Sequence, residues 1–395
     1  KSVVELIENE ISFFDSFTHI IASNIPEKLL IKLSDYLWKK TTPLFVLKTN
    51  GFLGYLRIVK EEHNVIETKA DNPQNDLRIS EPFESLQKLS ESRELSEMTS
   101  KEHSHWPWIY ILTAQTLKWK KSHDNKLPQT RDEKNQFKQS IRDLSPSAQE
   151  ENFNEAFGQV HTAYMPYSIP SATKSILSHE KAKPKASSEK FWQIAAAVST
   201  FVENEGAGKL PLPGNVPDLT TTTDWFLELQ KTYQTKAKND AEAVYNHLKT
   251  QIGSEEAEKI GLDDVVEFCR HANTIKNINY KSLSEEYSNT IKLNGDATWY
   301  ALFRIDNEDL NGEDDESKLN SLKKALSNLK IDGTPSDDQL KHWIRSDNAQ
   351  LHNTAAVIGG IASQEIIKIV TQQYVPVEGT FIWNGLNSTS TNIRV

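Results

Sequence analysis

A chain of 395 residues and 44.9 kDa is too long for one compact core and suits two or three domains. Mean hydropathy of −0.58 with 15 Gly and 15 Pro excludes the membrane, collagen and low-complexity classes; a single Cys excludes a disulfide framework and any four-thiolate zinc site, and points to a reducing compartment. The net charge of −10, from 45 Lys+Arg against 55 Asp+Glu without a basic stripe, is the reverse of a duplex-binding balance, so no nucleic acid is expected as a partner.

Residues 17–23 (FTHIIAS) form a short β-rich run, followed by the loop Asn24-Ile25-Pro26. Leu29, Leu30, Leu33, Tyr36 and Leu37 then recur at helical spacing. Residues 43–47 (PLFVL) read as an apolar strand, and Gly51 and Gly54 punctuate a turn before a further strand at 55–59 (YLRIV). Strand, helix, strand over this length predicts a βαβ unit and a parallel sheet with a right-handed crossover.

From about Met98 to Asn348 the texture is helical, over 108–120, 152–160, 191–203, 224–249, 263–272 and 318–329. Polar connectors lie between, at 181–190 (KAKPKASSEK) and 210–217 (LPLPGNVP). No apolar run approaches membrane-spanning length; the best, around 191–202, is short and flanked by charge, so no membrane is expected. The close of the chain returns to α/β, with a helix rich in small residues at 353–372 and a strand at 379–385 (GTFIWNG). This order predicts one sheet domain, built from 1–98 and 349–395, carrying a helical insertion at 99–348.

In the C-terminal helix, Ala355, Gly359 and Ser363 fall at steps of four, with Ala356 and Gly360 as a parallel row. Interior helix glycines cost about 1 kcal/mol each against alanine, so something must offset them. Close approach of another element is the plain explanation and a ligand or partner surface the sharper one. The two coincide if the neighbour is another subunit. Gln364 and Glu365 follow, and Glu365 with Lys368 is spaced as a weak surface pair.

Cys269 is the single candidate thiol nucleophile. Its neighbours Arg270 and His271 would lower its pKa only by reaching the sulfur, and adjacent helical residues point apart, so a buried structural cysteine is expected. His103 and His105 have a two-ligand spacing, but no carboxylate or third His stands in pattern with them. Pro107, with Ser104 as a cap, makes this stretch a helix start. No phosphate loop occurs; 203–209 (ENEGAGK) follows a helix and reads as its C-cap and a turn. The run 307–317 (NEDLNGEDDES) reads as a solvated acidic loop.

Seven stretches in order carry a resemblance: 17–26 (FTHIIASNIP), 51–58 (GFLGYLRI), 71–83 (DNPQNDLRISEPF), 103–109 (HSHWPWI), 217–240 (PDLTTTTDWFLELQKTYQTKAKND), 281–287 (KSLSEEY) and 352–371. Together they resemble the regulatory subunit of the activating enzyme for the Nedd/Rub ubiquitin-like modifier, over nearly the whole chain. The resemblance implies an α/β fold, an incomplete nucleotide-binding-like (Rossmann-type) adenylation domain split by a large all-helical insertion. It implies a heterodimer in which a catalytic partner subunit binds ATP and Mg²⁺, adenylates the modifier's C-terminus and forms the thioester. This chain would supply scaffold, subunit interface and part of the modifier-binding surface.

No catalytic, cofactor-binding or metal-binding residue is then expected here. Where active members follow the equivalent strand with a metal-handling aspartate, this strand runs into Ser23-Asn24-Ile25. The resemblance points to Asp218, Leu219, Asp224, Trp225, Leu227, Leu229, Gln230 and Lys231 as contacts to the catalytic partner. It makes His352, Ala355, Ala356, Gly359, Gly360, Ser363, Gln364 and Glu365 a close-packing helix near the subunit interface. Residence in cytoplasm and nucleus is an expectation of the same kind. The family begins with strands and helices before the position matched by Lys1, so an N-terminally truncated chain, less stable alone than the full-length form, is also expected. Two other readings compete: a self-sufficient adenylating enzyme using Cys269, and a helical adaptor with no role in modifier activation.

Overall fold

The computed structural model describes residues 2–69, 75–145, 150–185, 187–306, 310, 312 and 314–394. It divides into two compact units, one made of Lys1–Val65 with Asn277–Val395 and the other of Ile66–Lys276. The described strands are β1 (Ile20–Ser23), β2 (Leu44–Asn50), β3 (Leu53–Val59), β4 (Glu62–Ile66), β5 (Ile275–Asn279), β6 (Ile291–Lys292), β7 (Ile331–Asp332), β8 (Thr380–Asn384) and β9 (Thr389–Ile393).

The first unit is built on a five-stranded sheet in the order β1-β2-β3-β8-β9. β1 and β2 are parallel, with Ile20 opposite Leu44, and the helix Glu27–Lys39 makes the crossover. That helix starts behind Pro26, whose φ of −54° suits a helix entry, and buries Leu30, Leu33 and Leu37 at helical spacing. The parallel arrangement stops there. β3 runs antiparallel to β2, β8 to β3 and β9 to β8. The sheet is mixed rather than parallel, because the Gly51-Phe52 link between Asn50 and Leu53 is too short for a crossover and closes a hairpin instead. Gly51 takes a φ of +56° in that turn. Gly54, expected in the turn, stands inside β3 opposite Thr49; a Cβ there would meet the Ile358 side chain at 2.3 Å. β9 has no signature in the sequence because it is a polar edge strand whose single buried residue is Ile393.

Each face of the sheet has its own core. On one, Ile20, Leu44, Val46 and Tyr55 pack with the crossover helix and with Trp299, Phe303, Leu340 and Trp343. On the other, Phe45 and Ile58 pack with Ile278, Tyr280 and Ile369. Residues 283–344 therefore share a core with β1–β3, so the sheet unit resumes at Asn277 and not at 349, and its first segment ends at Val65 and not at 98. Under the sheet, Arg57 is 2% exposed and its Nη2 lies 2.6 Å from Oε2 of the wholly buried Glu286. Lys281 O accepts from Arg57, and the Tyr300 hydroxyl donates to Glu286 at 2.6 Å.

The second unit is mainly helical, with Trp108–Ser122, Glu151–Gly158, Lys190–Glu203, Thr223–Ile252 and Leu262–Arg270 close to their sequence-predicted spans. Arg131–Arg142 went unread although Thr130 and Glu133 form a capping box at its start. Thr223–Ile252 serves two cores, giving Leu229 and Tyr233 to one and Ala241, Val244 and Leu248 to the other. After Lys190–Glu203 the chain turns through Gly206 and Gly208, whose N–H groups donate to Phe201 O and Val202 O, a helix end with no ligand loop. Much of the acidic run 307–317, and the first four positions of 71–83, lie outside the described residues.

Candidate partner-binding surfaces

The helix His352–Thr371 is long and apolar enough to cross a membrane, which corrects the expectation that no run approaches that length. In this fold it is a sheet-covering helix, packed on β2 and β3 through Thr354, Ile358, Ala362, Glu365 and Ile369. Glu365 is 3% exposed: Oε2 accepts from Val377 N–H at 2.6 Å and Oε1 from Lys368 Nζ at 2.6 Å. The pair is thus not on the surface. Its carboxylate holds the chain that leaves the helix.

The small residues face the other way. Ala355, Ala356, Gly360 and Ser363 are exposed, Gly359 is half-buried, and a Cβ added at either glycine meets nothing within 4 Å. Close approach of another element among the described residues therefore does not explain the two glycines. Ile367 and Val370, 52% and 58% exposed, extend the same side, and exposed Tyr374 and Val375 follow the helix. These four escaped the sequence reading, although 100° steps from Ala356 and Gly360 lead to Ile367 and Val370. His352 and Gln364 are also exposed.

The second candidate stretch lies in the helical unit. Thr220 N–H and hydroxyl donate to the Glu155 carboxylate, and Thr222 caps Thr223–Ile252 by accepting from Trp225 N–H. This ordering leaves Asp218, Asp224, Leu227 and Lys231 exposed, with Leu227 at 53%. Leu219 and Gln230 are half-buried, as is Trp225, which meets Trp106 edge-on at 5.0 Å. Leu229 is fully buried in the chain's own core and offers nothing to a partner.

Cys269 is 2% exposed, and burial pushes its thiol well above the ordinary range, the reverse of an activated nucleophile. His103 lies 2.9 Å from a Glu150 oxygen and stacks on Phe153; His105 Nδ1 is 2.9 Å from Lys101 O. Ser104 ends the short helix Ser100–His103 instead of capping the next one, which begins behind Pro107. Among the described residues no group of three or more His, Cys, Asp or Glu is placed to hold a metal ion.

No protein-family model matches the sequence. Curated proteins do: a NEDD8-activating enzyme E1 regulatory subunit of Danio rerio is 32% identical, over 100% of this chain and 80% of the relative. The chain belongs to the NEDD8-activating enzyme E1 regulatory subunit family. The Drosophila melanogaster member is 34% identical over 99% of this chain and 78% of its own length. The Saccharomyces cerevisiae member is more distant, at 24% over 90% and 72%. The zebrafish alignment takes in all of the chain, so family membership covers the sheet unit and the helical unit alike.

Proposed function

We propose that this chain is the non-catalytic, regulatory subunit of a heterodimeric NEDD8-activating enzyme. A catalytic partner subunit binds ATP and Mg²⁺, adenylates the modifier's C-terminus and carries it as a thioester. The sheet unit is the nucleotide-binding-like, Rossmann-type half that this subunit brings to the pair, and the helical insertion is the compact unit Ile66–Lys276.

The observation that carries this reading is the outward face of His352–Thr371. Two interior glycines cost about 1 kcal/mol each against alanine, and among the described residues a Cβ added at either would meet nothing within 4 Å. Their low profile is useful to a neighbouring subunit whose backbone comes close, and Ile367 and Val370 supply apolar area beside it. Asp218, Asp224, Leu227 and Lys231 form a second contact to the catalytic partner. The buried Cys269 thiol fits a subunit that hands thioester chemistry to its partner. The complex acts in cytoplasm and nucleus.

The test is co-purification with the catalytic subunit, followed by modifier thioester formation on that subunit with and without this chain. A stable complex on which thioester formation depends is expected. Absence of a complex, or ATP–pyrophosphate exchange by the chain alone, would overturn the reading.

A further inference from the structure

In residues 118–142 eight Lys or Arg stand against three Asp or Glu, in a chain whose net charge is −10. No unbroken run of cations marks this excess, because most of its members are three to five residues apart. The helix Arg131–Arg142 turns that spacing into a stripe. Phe137 and Ile141, at 0% and 1% exposed, anchor it in a core of the helical unit. With 3.6 residues per turn, Arg131, Lys134, Lys138 and Arg142 fall within about 80° of one another, beside the anchored side. This corrects the expectation that the chain carries no basic stripe.

The stripe is flanked by rings. Lys134 Nζ lies 5.3 Å from the centre of the Tyr164 ring, and the Arg142 guanidinium 4.0 Å from that of Phe157. A ring face attracts a cation but leaves its charge uncompensated. Among the described residues none of the four cations pairs with a carboxylate. The acids nearest in sequence are engaged or lie off the stripe. Glu133 Oε2 accepts from the N–H groups of Gln129 and Thr130 at 2.8 Å each, and Asp143 Oδ1 accepts from Gln139 Nε2 at 2.8 Å. Asp132 falls about 80° beyond the stripe's edge.

A cavity of about 590 Å³ opens at the Lys134 end. Pro128, Tyr164 and Pro166 give it apolar surface, and Lys120 brings a second cation. Lys120 Nζ donates to Ser80 O at 2.6 Å and has two further protons to offer. Glu81, the carboxylate of the lining, is held by Lys209 Nζ at 2.8 Å.

We propose that this stripe and cavity dock an extended acidic segment of a partner protein, with carboxylates at alternate positions and an apolar side chain at one end. Lys134, Lys138 and Arg142 stand at steps of four, about 6 Å of helix rise each. An extended strand brings every second side chain to one side at about 6.6 Å, so three alternate carboxylates match the three cations. The apolar residue enters the cavity against Tyr164 and the two prolines. The chain's overall negative charge repels a long polyanion, which favours a short carboxylate segment over single-stranded nucleic acid. The site lies wholly within Ile66–Lys276, goes beyond the partner-subunit reading and does not depend on it.

The experiment is fluorescence anisotropy of the full chain with a labelled synthetic peptide, a leucine followed by three glutamates at alternate positions. The glutamate peptide is expected to bind at least tenfold tighter than the same peptide with glutamines, and to weaken at least tenfold from about 50 to about 500 mM salt. Lys134→Gln with Lys138→Gln is expected to lower its affinity at least tenfold. Lys324→Gln with Lys341→Gln, which removes the same charge from exposed positions in the sheet unit, is expected to leave it unchanged. If the first pair fails to fold by circular dichroism, the exposed pair Arg131→Gln with Arg142→Gln takes its place, with the same loss expected. No binding, equal binding of the glutamine peptide, full affinity in the stripe variants or an equal loss in the control pair would overturn the proposal. So would tighter binding of a labelled oligothymidylate, which would assign the stripe to nucleic acid.

Discussion

Arg57 and Glu286 form a nearly solvent-free ion pair between a strand and a helix of the same unit. Removing one partner strands the other's charge, so Glu286→Ala is expected to cost about 3–5 kcal/mol in urea unfolding. Arg57→Met with Glu286→Leu should recover most of that loss, because no charge is then left in the core. His63 in β4 is fully buried; burial, helped by the Lys60 charge, lowers its pKa to about 4. The unfolded chain takes up that proton first, near pH 6.5. The contribution is therefore complete above about pH 6.5 and lost as pH falls toward 4. Urea midpoints at pH 7.5, 6 and 5 measure it, and His63→Leu should flatten that part of the slope. None of these three residues is marked in the sequence, because a polar side chain's burial depends on which element covers it. Glu365 shows the same limit: its spacing to Lys368 was readable, its burial by Val377 and the sheet was not.

At the scale of elements, the helices with an apolar stripe were legible and those announced by their caps were overlooked. Thr130 with Glu133 and Ser336 with Gln339 each begin a helix whose composition looks polar. The hairpin at Gly51 turned an expected parallel sheet into a mixed one, since strand direction is set by the length of the connection and not by the strands' own residues. In His352–Thr371 the small-residue spacing was visible, but which side it faced became clear only from the packing of Ile358 and Ile369 on the sheet. That side yields a paired prediction. Gly360→Ala should stabilise the isolated chain by up to about 1 kcal/mol in thermal unfolding, through helix propensity alone. Gly360→Trp should leave the isolated chain folded by circular dichroism yet abolish co-purification with the catalytic subunit. If the tryptophan variant still co-purifies, this face is not the interface.

For the whole molecule, the sequence showed sheet segments at both ends and helices between, but not the seams. The seams lie at 65/66 and 276/277 because residues after 277 bury their apolar side chains against the sheet, and periodicity alone cannot say against what a helix packs. The helical unit contains two apolar cores of its own, drawn entirely from Ile66–Lys276. That fragment is accordingly expected to fold alone, with a cooperative thermal transition and strong helical circular dichroism. A fragment without a cooperative transition would show that it depends on the sheet unit.

The place of β3, between β2 and β8, has a consequence for biosynthesis. β2 and β3 are neighbours in sequence, joined by a two-residue turn, whereas β8 follows only after the whole helical unit has been translated. At usual elongation rates the far edge of β3 waits on the order of ten seconds to a minute with unpaired backbone groups and apolar neighbours. During that interval the nascent chain presents the kind of open, hydrophobic strand that recruits other strands. Production of this protein is therefore expected to lean on chaperones that hold nascent chains, and slowing translation should increase its aggregation.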